Sequence, residues 1–81
     1  MVFASVGANI AARRRAVGVT QAELAAGIGR SVQWVSAVEQ GRRRAERLPD
    51  LLRAAAVLDC SVEELIGVPA GTLTSPASLT A

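Results

Sequence analysis

Thr20-Gln21-Ala22-Glu23-Leu24-Ala25-Ala26-Gly27-Ile28-Gly29-Arg30-Ser31-Val32-Gln33-Trp34-Val35-Ser36-Ala37-Val38-Glu39-Gln40-Gly41 decides the fold of this 81-residue chain. Two helix starts and two helix stops fall inside it. Thr20-Gln21-Ala22-Glu23 has capping-box form: the threonine hydroxyl accepts from a free first-turn amide, and Glu23 reaches back. The helix it opens carries Leu24, Ala25 and Ile28 on its inner face, and Gly29 permits a sharp turn at its end. Ser31 caps a following helix that runs to about Gln40, with Gly41 as its left-handed terminator. Val35 and Val38 face inward. Ala25 is small where the two helices must nearly touch, and Val35 packs back on it. Such a combination makes two helices cross steeply, with the second projecting outward.

The same punctuation continues on both sides. A helix from about Ser5 to Val17 is predicted upstream, with Val6, Ile10, Arg14 and Val17 on one face and Gly18 as its stop. Downstream, Leu48-Pro49 starts a fourth helix, because proline is tolerated in a first turn. Leu48, Leu51, Leu52, Ala55 and Leu58 form its apolar stripe. Ser61-Val62-Glu63-Glu64 repeats the capping-box pattern and starts a short fifth helix through about Ile66. From Gly67 onward there is no charge and no helical period. The expectation is an all-α, compact five-helix bundle over residues 1–67, with a helix-turn-helix at residues 20–41 and a disordered tail at residues 68–81.

Composition narrows the chemistry. The chain has no histidine and one cysteine, Cys60. A disulfide framework, a Cys-rich zinc site and the Ser-His or Cys-His nucleophile pairs are thereby excluded. Glu63 and Glu64 read as a helix-initiating face, not a catalytic pair. No catalytic residue, metal ligand or cofactor site is expected, and Cys60 reads as a small buried hydrophobe. Apolar runs fall far short of the roughly 20 residues that span a bilayer. The N-terminus lacks the basic n-region and apolar core of a signal peptide, so a cytoplasmic setting is expected, without membrane association.

Charge is distributed unevenly. All nine basic residues are arginine. In residues 1–47, eight arginines face only Glu23, Glu39 and Glu46. In residues 48–81, Arg53 alone faces Asp50, Asp59, Glu63 and Glu64. A basic N-terminal part beside an acidic C-terminal part suggests one face aimed at a polyanion.

Val19-Thr20-Gln21-Ala22-Glu23-Leu24-Ala25 followed by Gly29 to Gly41 closely resembles the phage repressor and Cro-type family, also called the xenobiotic-response-element family. The resemblance continues through Leu48-Pro49-Asp50-Leu51-Leu52 and Leu58 to Leu65, and covers roughly residues 7–66. Trp34-Val35-Ser36 with Val38-Glu39 is similar to actinobacterial regulators of that family. The resemblance implies a lambda-repressor-like bundle that binds double-stranded DNA, usually as a homodimer, with the third helix (about residues 31–40) in the major groove. It departs from the family pattern at Arg13, where leucine is common, at Gly27 inside the second helix, and at Val32, near the start of the recognition helix. Arg13 predicts looser packing of the first helix, Gly27 interrupts the second at about 1 kcal/mol relative to alanine, and Val32 bears on specificity rather than fold.

Site residues follow from this alignment of roles. Val32, Gln33, Ser36 and Ala37 are the candidates for base contact. Gln33 can pair bidentately with adenine, while Val32 and Ala37 offer apolar contact to a thymine methyl. Gln21, Trp34, Gln40, Arg42, Arg43 and Arg44 are the candidates for phosphate contact. Gln21 also braces the recognition helix in this family, and arginine suits phosphate because its planar fork is always charged. Trp34 has two open readings, an indole N–H on a phosphate with the ring against the second helix, or packing in the core or hairpin. Arg14 and Glu39 occupy positions that form a structural ion pair between the first helix and the end of the third.

The functional expectation is a sequence-specific DNA-binding transcriptional regulator in a bacterial cytoplasm, nucleoid-associated when bound. Two rivals use the same fold. One is the antitoxin of a toxin–antitoxin pair, which binds its operator and a protein toxin. The other is a protein-interaction module that has lost DNA binding. Operator, effector domain and sign of regulation leave no mark in the residues.

Overall fold

The computed structural model describes residues 6–69. The chain forms α1 (Val6–Val17), α2 (Gln21–Ile28), α3 (Val32–Glu39), α4 (Leu48–Val57) and α5 (Val62–Ile66), with no strand among the described residues. The all-α, five-helix expectation therefore holds. The marked helix starts are made by the expected side chains. Thr20 Oγ1 accepts from the Glu23 amide at 3.0 Å, and Glu23 Oε1 accepts from the Thr20 amide at 2.9 Å. Ser61 and Glu64 repeat this reciprocal cap at 3.1 and 3.2 Å. Ser31 Oγ accepts from the Trp34 amide at 3.0 Å. Each bond satisfies a first-turn donor that the helix itself cannot reach.

The stops differ more. At the end of α3, Gly41 has φ 78°, and its amide and that of Arg42 donate to Val38 and Ala37 at 3.1 and 2.9 Å. This is the 6→1 and 5→2 closure that favours glycine. At the end of α4 the left-handed position belongs to a non-glycine residue, Asp59, with φ 52°. Arg13 reaches across from α1 and caps this end: Nε donates to the Leu58 carbonyl at 2.9 Å and Nη2 to the Asp59 carbonyl at 2.7 Å. A cation on the free carbonyls of a helix C-terminus is favourable. Arg13 thus ties α1 to the end of α4 by hydrogen bonds.

α2 packs against both α3 and α4, while α1 packs against α3 and α5, and α4 against α5. Leu24, Leu58, Leu65, Val6 and Val35 are fully buried at the centre. Trimming one such leucine to alanine costs about 2–5 kcal/mol through lost transfer energy and the cavity left behind. Two glycines permit the close helix approaches. A Cβ on Gly7 would fall on the Val38 carbonyl, so α1 can cross α3 here only without a side chain. A Cβ on Gly27 would meet Val57 Cγ2, so the glycine inside α2 admits α4 instead of merely weakening the helix.

Several apolar assignments are corrected. Val17 is 39% exposed, because the last turn of α1 extends past its packed face. Leu48 and Leu52 are 55% and 53% exposed. The buried side of α4 runs through Asp50, Leu51, Ala54 and Ala55, which places the two leucines at its edge. They line an open apolar groove with Cys60 and Val62. Cys60 is half-buried, not fully buried as expected. Burial, then the nearby Glu64 charge, raises its thiol pKa above the ordinary range. Val68 packs against the core. Residues 70–81, most of the expected tail, lie outside the described residues.

Candidate nucleic-acid interface

The spacing of α3 divides its surface. Val35 and Val38 are buried at 1% and 2% exposure. Gln33, Ser36, Ala37 and Gln40 recur at i, i+3, i+4 and i+7, which puts them on one stripe opposite the core. Gln33 and Gln40 are exposed, and Ser36 and Ala37 are half-buried. Val32, 41% exposed, borders this stripe at the N-terminal end. The structure therefore brings the four expected base-reading residues together on the outer side of one short helix.

Some of the polar groups are already arranged. Gln40 Nε2 donates to Ser36 Oγ at 3.2 Å, and Gln40 Oε1 accepts from Arg42 Nε at 2.9 Å. The Ser36 hydroxyl accepts this bond and donates none among the described residues. Arg42, Arg43 and Arg44 are exposed in the turn after α3. Arg44 makes an exposed pair with Glu46 at 3.4 Å, a contact that water screens strongly. Arg42 and Arg43 form no ion pair among the described residues, so their charge is available to an external anion.

The inner anchor of α3 is the expected ion pair. Arg14 Nε donates to Glu39 Oε2 at 2.7 Å and Nη2 to Oε1 at 3.1 Å, the two-pronged geometry that suits a guanidinium. Arg14 Nη1 donates to the Val19 carbonyl at 3.0 Å. Gln21 Nε2 donates to Glu39 Oε1 at 2.9 Å. The start of α2 is thereby held beside the end of α3, which is the bracing role expected of Gln21. The Glu39 side chain is only 5% exposed. Burial pushes its pKa up, but the bonds from Arg14 and Gln21, with the charges of Arg14 and Arg15, outweigh burial and hold it below the ordinary range.

A second anchor, which no sequence pattern marks, lies at the other end of α3. Arg30 Nε and Nη2 donate to Asp50 Oδ1 and Oδ2 at 3.2 and 2.8 Å. Asp50, in the first turn of α4, is 5% exposed. The Arg30 guanidinium carbon sits 5.1 Å from the Trp34 ring centroid. Trp34 is half-buried and packs against the core cluster. The two partners of this pair are twenty positions apart with no shared motif, and Asp50 alone looks like an ordinary first-turn acid. Asn9, which donates to the Leu65 carbonyl at 2.9 Å, likewise carries no signal in the sequence.

Among the described residues no group of His, Cys, Asp and Glu has the form of a metal site, and no helix is long and apolar enough to cross a membrane. No curated protein and no solved structure matches the chain. A family model of the helix-turn-helix domain matches residues 5–65, a span that takes in all five helices except the last residue of α5. With α2, the turn at Gly29 and α3 arranged as described, the chain belongs to the helix-turn-helix domain family.

Proposed function

We propose that this chain is a sequence-specific DNA-binding transcriptional regulator of the phage repressor and Cro type, acting in a bacterial cytoplasm with α3 in the major groove. The observation that carries the reading is the two-sided character of α3. Its inner side is pinned by a buried bidentate ion pair, while its outer side offers an uninterrupted polar and small-residue stripe. Recognition helices work this way: the scaffold holds them and their outer residues meet base edges.

In this reading Val32, Gln33, Ser36 and Ala37 face the bases. Gln33 has both a donor and an acceptor to offer and carries most of the discrimination. Gln21, Trp34, Gln40, Arg42, Arg43 and Arg44 lie against phosphates, where they set register and supply affinity without sequence preference. The chain binds as a homodimer to two half-sites, whose centres are then about 34–36 Å apart along the duplex.

The test is selection from a random duplex pool with the full chain, followed by salt titration on the enriched site. One enriched motif with two half-sites, bound with a steep fall in affinity as salt rises, supports the reading. No retardation of any duplex at about 50 mM salt would refute it.

A further inference from the structure

Arg30 stands immediately before the Ser31 cap of α3. An arginine at the N-terminal end of a recognition helix is the obvious choice for a phosphate ligand. Its surroundings oppose that role. One edge of the fork, Nε and Nη2, is spent on Asp50, and one face of the guanidinium lies over the Trp34 ring. No other side-chain bond to the Asp50 carboxylate is seen among the described residues, and no buried polar side-chain atom among them lacks a partner. The Arg30 charge is balanced locally, so little counterion release remains for it to supply to DNA.

We propose that Arg30 is a positioning residue: with Asp50 of α4 and Trp34 of α3 it forms a clamp that sets the inclination of the recognition helix instead of holding a phosphate. Glu39 ties the C-terminal end of α3 to α1 and α2. The clamp ties the N-terminal end to α4. Each anchor alone leaves α3 a pivot. A helix of eight residues is about 12 Å long, so rocking it by about 5° about one end moves the other by about 1 Å, enough to spoil a bidentate base contact. The planar fork is essential, because a lysine ammonium cannot bridge both carboxylate oxygens and present a flat face to an indole.

The inference rests on the DNA-binding reading for its functional arm, while the clamp is tested on free protein. Arg30→Lys, Arg30→Gln and Asp50→Asn are compared with wild type at a temperature where circular dichroism shows all to be folded. Trp34, the sole tryptophan, reports on its own environment through its emission. The expected result is that all three variants shift Trp34 emission in the free protein. All three also lower the ratio of selected-site to random-duplex affinity by about tenfold or more, and leave the salt slope unchanged. Arg30→Lys failing like Arg30→Gln is the mark of positioning, since lysine would replace a phosphate ligand.

The inference is overturned if Arg30→Lys keeps the ratio while Arg30→Gln makes the slope shallower by about 0.9, the loss of one phosphate contact. It is also overturned if no variant moves Trp34 emission. Should Asp50→Asn not fold, Arg30→Lys decides alone, because it leaves the buried carboxylate a cation. Should wild type bind no duplex, the proposed function falls and the emission measurement still judges the clamp.

Discussion

Arg14→Ala and Glu39→Ala, alone and together, measure how firmly α3 is held. Glu39→Ala removes the acceptor of Arg14 Nε, Arg14 Nη2 and Gln21 Nε2, and among the described residues leaves the Arg14 side chain with only the Val19 carbonyl. Arg14→Ala leaves the carboxylate with Gln21 as its one hydrogen-bond donor. Breaking a buried pair by removing one partner costs about 3–5 kcal/mol, since the other charge stays desolvated. Here the Arg14 side chain is 13% exposed and keeps one bond, so each single change should cost near the low end, about 3 kcal/mol. The double variant buries no orphan charge. It should cost little more than either single, which leaves a coupling of about 2–3 kcal/mol. A domain of about 60 ordered residues has only about 3–9 kcal/mol in hand, so the singles sit close to the unfolding threshold. Urea titrations near about 15 °C, where stability is greatest, followed by Trp34 emission and far-ultraviolet circular dichroism, give the four free energies. Additivity within about 0.5 kcal/mol would refute the reasoning, because it would mean that the two side chains do not interact.

The same carboxylate predicts a pH dependence. The Glu39 pKa is lowered in the fold, so the unfolded chain binds the extra proton; the stabilisation is complete above about 4.3 and is lost as pH falls through the lowered value. Acid titration of Glu39→Gln should lack that component. Gly7→Ala should destabilise by about 1–3 kcal/mol despite alanine's better helix propensity, as the new methyl meets the Val38 carbonyl; a variant with raised melting temperature would contradict the close crossing of α1 and α3. Gln33→Ala should cost about 1–3 kcal/mol at the selected site and relax one or two base positions, with random-duplex affinity nearly unchanged; identical selected motifs would remove Gln33 from the readout. Replacing Arg42, Arg43 and Arg44 together by glutamine should weaken binding to all duplexes alike and make the salt slope shallower by up to about 2.7; an unchanged slope would reject the turn after α3 as a phosphate clamp.

Local chemistry made the helices legible. A hydroxyl cap needs only an amide three residues on, so Thr20 with Glu23, Ser31, and Ser61 with Glu64 mark their helix starts in one short stretch each. The outer stripe of α3 follows from helical periodicity once Val35 and Val38 are taken as inward. The Arg14–Glu39 pair is legible only through the family resemblance, since nothing local links positions 25 residues apart.

The set of helices, their order and the side of α3 that turns outward are therefore legible along the chain, because capping bonds and the 3.6-residue period act within a few residues. Tertiary structure alone decided which neighbours each helix meets. Gly7 is a requirement only because the α3 backbone lies against it, and Arg13 is a cap only because the end of α4 arrives beside it. Leu48 and Leu52 match an apolar stripe in sequence yet face the solvent side of a groove, since the packed sector of α4 is set by the direction from which α2 and α5 approach. Arg30 and Asp50 look like two separate surface charges until α2 and α4 are brought together, and then they bury a carboxylate and seat a ring. Burial and long-range pairing depend on distances between elements, and a linear pattern carries only the distances within them.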